Sequence, residues 1–117
     1  MNTIQLIGRL TADPELRSLA EDKSVANMRL AVARRDRKAA PVYVDVVAFD
    51  RLAELCATHL ERGRQVAISG RLDYSEWEAK DGTKRSKHEV IANDVEFLSK
   101  AKAQDATASE QNEDNVS

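Results

Sequence analysis

The sequence predicts an all-β fold, five strands closed into a small barrel with one short helix between the third and fourth, followed by a disordered C-terminal tail. Three observations carry this reading. Five segments alternate apolar and polar residues with the two-residue period of a half-buried strand. One segment instead spaces its apolar residues as a helix does. From Ser99 onward a single aliphatic residue larger than alanine remains, too little buried surface to offset the entropy of ordering the chain. The expected division is a domain over residues 1–98 and a disordered polar tail over residues 99–117.

The first strand is TIQLIGRL, in which Ile4, Leu6 and Leu10 alternate with Thr3, Gln5 and Arg9. Asp13-Pro14 then interrupts the pattern. In VANMRLAVA, Met28, Leu30 and Val32 face one way, Asn27 and Arg29 the other. PVYVDVVAF has two faces that differ in kind: Val42, Val44, Val46 and Ala48 form an aliphatic side, and Tyr43, Asp45, Val47 and Phe49 the opposite one. DRLAELCATHLERG places Leu52, Leu55, Cys56 and Leu60 at helical spacing, with Asp50 expected to cap the start and Gly63 to end the helix. QVAISGRLDYSEW puts Val66, Ile68, Leu72 and Tyr74 on the core-facing parity. Asp81-Gly82 signals a tight hairpin turn before a last strand around HEVIAND. This order matches a small closed or partly closed barrel of the oligonucleotide-binding type.

Composition narrows the function classes. At 117 residues and 42% hydrophobic content the chain fits one small domain. No apolar run approaches the roughly 20 residues that span a bilayer, and the N-terminus lacks a signal-peptide pattern, so the expectation is a cytoplasmic protein with no membrane partner. Cys56 is the only cysteine and is expected to be a small buried residue. His59 and His88 sit in no metal-ligand or triad spacing, so neither catalysis, a metal nor another cofactor is expected. Residues 1–98 carry 16 basic and 16 acidic residues, which argues against a generic electrostatic DNA binder, yet the charge is clustered. The clusters are RRDRK at Arg34 to Lys38 and KDGTKRSK at Lys80 to Lys87.

The same parity count that defines the core sends Ser69, Arg71, Asp73, Ser75 and Trp77 to the outside, along with Tyr43 and Phe49. Outward aromatics serve either a subunit interface or cross-strand pair, or a platform on which unpaired bases stack. Flanking cations would track phosphates. The candidates are Arg34, Arg35, Arg37 and Lys38, then Lys80, Lys84, Arg85 and Lys87, and Arg51 just beyond Phe49. An oligonucleotide-fold adaptor that uses these aromatics for protein contacts, with little or no nucleic-acid binding, is the alternative.

LIGRLTADPELR, VANMRLAVARR, VVAFDRLAEL, RGRQVAISGRL and DGTKRSKHEVIANDVEFL closely resemble, in order and spacing over residues 1–98, the bacterial single-stranded DNA-binding protein family. The resemblance implies an oligonucleotide-binding fold, a homo-oligomer that is usually a tetramer, and a non-catalytic coat on single-stranded DNA during replication, recombination and repair, associated with the nucleoid. Carried across by motif, the base-stacking aromatics fall on Tyr43, Phe49 and Trp77. Three departures bear on strength and partners. Asp36 stands where many members carry an aromatic, and Asp73, Glu76 and Glu78 surround Trp77, both of which should weaken DNA binding. The sequence closes in EDNVS rather than an acidic tip ending in Pro-Phe, so recruitment of replication or repair proteins through the tail is not expected, and an auxiliary, phage or plasmid paralogue fits better than the main replicative protein.

Overall fold

The computed structural model describes residues 1–36 and 38–98; the expected tail and Arg37 lie outside them. Six strands and one helix follow in order: β1 (Ile4–Leu10), β2 (Glu15–Ala20), β3 (Lys23–Val32), β4 (Val42–Phe49), α1 (Asp50–His59), β5 (Gln65–Glu78) and β6 (Lys84–Phe97). The hydrogen-bonded order is β1-β5-β6-β4-β3-β2, and β1 also pairs with β3. Five strands thus close on themselves, and they are the five expected. The additional strand, β2, hairpins onto β3 from outside the ring, with Leu16 opposite Ala26 and Arg17 opposite Val25. Every residue of β2 is exposed, so no burial period marks it in the sequence. Its turn passes through Asp22, whose φ of 66° is a conformation that aspartate tolerates better than most residues.

Alternation packs the barrel as expected. Leu10, Met28, Leu30, Val46, Ala48, Val66, Ile68 and Val90 form the buried cluster, with Ile4, Leu6, Val32 and Val44 against its margin. The helix contributes Ala53 and Cys56, with Leu60 following it. Leu55, expected on that face, is exposed instead. Its start also differs from expectation. Phe49, in extended conformation, occupies the N-cap without a side-chain cap bond. Asp50 turns away at φ 54°, accepts a hydrogen bond from the Ser24 N–H at 3.3 Å, and receives the Ser24 hydroxyl on its carbonyl at 3.3 Å. The carboxylate therefore pins the helix to the start of β3 rather than capping it. Gly63, expected to end the helix, lies beyond its C-cap residue Leu60 and serves the following turn, at φ 87° and with its N–H on the Leu10 carbonyl at 2.8 Å.

The long β5–β6 pair has two parts. From Gln65 to Gly70 β5 is flanked by β1 and β6; beyond Leu72, among the described residues, only β6 accompanies it. Asn2 marks the boundary, its side chain donating to the Leu72 carbonyl at 2.8 Å and accepting the Leu72 N–H at 2.9 Å. At the same place the register shifts: Ser69 pairs with Asp94 but Gly70 with Ala92, leaving Asn93 as a bulge. A Cβ on Gly70 would lie 2.1 Å from the Ile91 carbonyl oxygen, so the approach of the two strands there requires glycine. Past this point the pair leaves the barrel wall as a two-stranded ribbon. Leu72 and Tyr74, expected in the core by parity, are 44% and 49% exposed because no layer among the described residues covers the ribbon. The ribbon turns at Ala79–Thr83 through Gly82, at φ 86°. The basic run from Lys80 to Lys87 is therefore half turn and half strand, in β6 from Lys84 on.

Two tests follow from this packing. Ile68→Ala and Leu72→Ala each remove three side-chain carbons from one parity of one strand. The first should destabilise by about 2–5 kcal/mol and the second by less than about 0.5 kcal/mol in urea denaturation. Similar costs would mean that the ribbon is covered. Separately, burial pushes the Cys56 thiol up to about 11 from its ordinary 9.0. The folded chain then keeps a neutral thiol where the unfolded chain ionises it, so stability is full below pH 9 and falls as pH climbs toward 11. Cys56→Ala should flatten that part of the pH profile.

Candidate nucleic-acid interface

The outer face of β3, β4, β6 and β5 is built by the residues that the core does not use. On β4 these are Tyr43, Asp45, Val47 and Phe49; on β3, opposite them, Ala31, Arg29, Asn27 and Val25. On the other side of β4, Val47 pairs with Ile91 of β6, and Ile91 with Arg71 of β5. Farther along the ribbon, Glu89 stands opposite Asp73, Lys87 opposite Ser75 and Arg85 opposite Trp77. Val25, Val47 and Ile91 form a small buried cluster of their own in the middle of this face. Around it Tyr43, Phe49 and Trp77 are 53%, 43% and 49% exposed. The three aromatics picked out by parity therefore share one surface, Phe49 at the junction of β4 and α1, Tyr43 near the other end of β4, and Trp77 on the ribbon.

The cations divide by position. Arg85 directly faces Trp77 across the ribbon. Lys87 is on the same face but already engaged, 3.5 Å from Asp45 and 3.6 Å from Glu89. Lys84 pairs with Glu78 on the opposite parity of the ribbon, yet it lines one open pocket with Trp77, Tyr74 and Arg85 near the ribbon's end. Lys80 is at the ribbon's tip, in a turn ordered by Asp81, which accepts the Thr83 hydroxyl at 2.6 Å and the Thr83 N–H at 3.0 Å. Those bonds, the hydroxyl's first, hold the Asp81 carboxyl below its ordinary value. In the β3–β4 loop Asp36 orders the chain, accepting the Lys38 N–H at 3.0 Å, while Arg34 donates to the Ala40 carbonyl at 2.8 Å. Arg34, Arg35 and Lys38 are exposed, and Arg37 lies outside the described residues. Arg51 is exposed in the first turn of α1, where the helix dipole disfavours a cation and so gives it no structural reason to be there.

Three further cations on this face escape a search for basic runs. Arg29 holds its guanidinium 5.1 Å from the centroid of the Tyr43 ring. Arg71 is exposed opposite Ile91, and Arg17 of β2 opposite Val25. The signal for Arg29 and Arg71 is their outward parity on strands that the sequence does reveal; Arg17 depends on β2. On the other side of the ribbon the exposed Tyr74 packs on His88 with ring centroids 4.7 Å apart and donates its hydroxyl to Glu76 at 2.7 Å. Among the described residues no group of His, Cys, Asp and Glu could hold a metal ion, and no helix is long and apolar enough to cross a membrane.

An arrangement of half-exposed rings with guanidinium groups beside them offers flat apolar contact and positive charge together, the two features that unpaired nucleotides need. The comparisons with known proteins agree with this chemistry. A protein named single-stranded DNA-binding protein from Clostridium tetani is 42% identical over 102 residues, covering 84% of this chain and 70% of its own length. The protein of that name from Clostridium perfringens is 39% identical over 99 residues, covering 84% of this chain, and the match spans 66% of that relative, about two thirds of its length. Single-stranded DNA-binding protein 3 of Clostridium acetobutylicum is 38% identical over 102 residues, with 84% and 71% covered. Residues 1–98 match the Single-strand binding protein family, and with that fold and that face the chain belongs to it.

Proposed function

We propose that this protein binds single-stranded DNA with little regard to sequence, coating exposed strands in replication, recombination or repair. The observation that carries the reading is the presence of Tyr43, Phe49 and Trp77, each about half exposed, on one outer face with Arg29, Arg71 and Arg85 beside them. Bases stack on the rings, and stacking is indifferent to base identity because every base has a π face. The guanidinium groups, together with Arg34, Arg35, Arg37, Lys38, Arg51 and Lys80, follow the phosphates. Residues 1–98 act as the binding domain and residues 99–117 as a polar appendage. The site of action is wherever single strands are exposed, in the cytoplasm at the nucleoid, and no step of catalysis is assigned. An auxiliary role fits the acids beside Trp77, and a relative numbered 3 in its organism supports the existence of such paralogues.

Trp77 is the only tryptophan, so its fluorescence reports on this face alone. Titration with oligo-dT should quench it. Trp77→Ala should weaken binding by about 1–3 kcal/mol with the salt slope unchanged, whereas replacing Arg34 and Arg35 together should flatten the slope. An adaptor that uses its aromatics for protein contacts would show neither quenching nor a salt-dependent affinity.

The assembly reading rests on β1. It pairs with β5 from Ile4 to Arg9 but with β3 only at Arg9 and Leu10, so its first half presents an edge without a strand partner among the described residues. Ile7, 56% exposed, lies beside that edge in a groove with Gln5, Ala67 and Ser69. Two copies pairing through β1 would cover both edge and isoleucine, giving a symmetric dimer that can double to a tetramer. Mass in solution at micromolar concentration should be that of a dimer or tetramer, and Ile7→Arg should lower it; a monomer of the unaltered chain would overturn this part.

A further inference from the structure

A band of charge crosses the outer face between Phe49 and the two other rings. Arg29 and Asp45 stand opposite one another on β3 and β4, and Glu89 and Asp73 on β6 and β5. Two residues before the parallel pair Val47 and Ile91, Asp45 comes alongside Glu89. A strand that stacks on Phe49 as well as on Tyr43 or Trp77 has to pass over this band. Three carboxylates so close repel one another, and like charges directly opposite across strands disfavour the pairing. Lys87 offsets this. Its Nζ bridges Asp45 Oδ2 at 3.5 Å and Glu89 Oε2 at 3.6 Å, with side chains 41%, 38% and 20% exposed for Lys87, Asp45 and Glu89. Glu89 in particular is drawn down between the strands, where water screens it less.

We infer that Asp45 and Glu89 set the affinity for single-stranded DNA by holding Lys87 as an internal counterion, which a phosphate must win from them before the lysine contributes to binding. The inference rests on the single-stranded DNA reading above. Its logic is exchange. A lysine neutralised by solution anions releases them when it meets phosphate, and that release drives binding. A lysine neutralised by two carboxylates fixed on its own surface has fewer anions to release, and the carboxylates left behind face the incoming phosphates. Both effects lower affinity and flatten its salt dependence. The same pair also keeps the cluster of acids from repelling itself apart when no DNA is present, which gives the contact a reason to exist in the bare protein.

The test uses oligo-dT titrations of the full chain at several salt concentrations, with circular dichroism to confirm folding. Asp45→Asn, which keeps the side-chain shape, should tighten binding about threefold, the scale of one partly exposed ion pair released. It should also steepen the salt slope by up to about 0.7, the increment for one more phosphate contact on a single strand. Glu89→Gln should act in the same direction and serves should Asp45→Asn fail to fold. Glu54→Gln makes the same charge change on the exposed side of α1 and should gain clearly less. Lys87→Gln should reduce affinity more in the Asp45→Asn, Glu89→Gln background than in the unaltered chain. If the unaltered chain does not bind oligo-dT, the proposed function is wrong. If it binds, but Asp45→Asn and Glu54→Gln gain equally, or Lys87→Gln costs the same in both backgrounds, binding stands and the competition of Asp45 and Glu89 for Lys87 is overturned.

Discussion

Closure of the barrel by β1 is the constraint on which the rest depends. Its pairing with β5 along most of its length and with β3 at Arg9 and Leu10 joins the two ends of a sheet that would otherwise be open. Once the ring is closed, each strand has an inside and an outside, and the two-residue period turns that distinction into chemistry. Residues of one parity make the core of Leu30, Val46, Val66, Ile68 and Val90, while the other parity, apart from the small cluster of Val25, Val47 and Ile91, is free to carry Tyr43, Phe49, Arg29 and Arg71. The helix adds Ala53 and Cys56 to the core from outside the ring, so the inside is filled without taking residues from the outer face.

What the sequence reveals follows from where alternation has a cause. The five ring strands and the outward direction of Tyr43 and Phe49 are legible because those strand segments have a buried side to contrast with, and the direction of Trp77 follows by continuing the count of β5 beyond its buried half. β2 is illegible for the same reason: with all six residues exposed there is nothing for a period to mark. Leu72 and Tyr74 mislead because parity tells which side of a strand a residue occupies, but not whether a second layer lies there. Asp50 misleads at shorter range, since a carboxylate beside a helix start can serve the helix or a neighbouring strand, and Ser24 becomes its neighbour only in the folded chain. On the outer face, runs of basic residues mark the two clusters but not the cations that strands bring together from distant positions, such as Arg29 and Arg71.

The neutral balance of the body now has a structural sense. Positive charge is concentrated beside the rings and at the loops, and acids are interleaved with it on the same face, so attraction for a polyanion is local and moderate rather than general. On the proposed reading, the stacking surface would supply contact that salt does not screen, and the acids would restrain the part that it does. A surface of this kind favours strands whose bases are unpaired over a duplex, whose bases are turned inward and offer only phosphate. On the proposed reading, preference for single strands would come from which surfaces a nucleic acid can present rather than from the reading of a particular base.

The bulge at Asn93 and the close approach at Gly70 divide the molecule in a way that the chain's single-domain length conceals. Up to this point the strands share the barrel's core; beyond it, the ribbon carrying Trp77 is held by its own ladder and by few buried side chains. A two-stranded ribbon without a packed face is marginal by itself. Its backbone hydrogen bonds therefore open at a free energy set locally, well below that of the barrel. In amide hydrogen exchange the two would behave as separate cooperative units, the strands around Leu30 and Val46 exchanging only through global unfolding and the amides from Asp73 to Lys87 through fraying from the tip. Trp77 thus sits on the ribbon, and Tyr43 and Phe49 on a strand of the barrel itself.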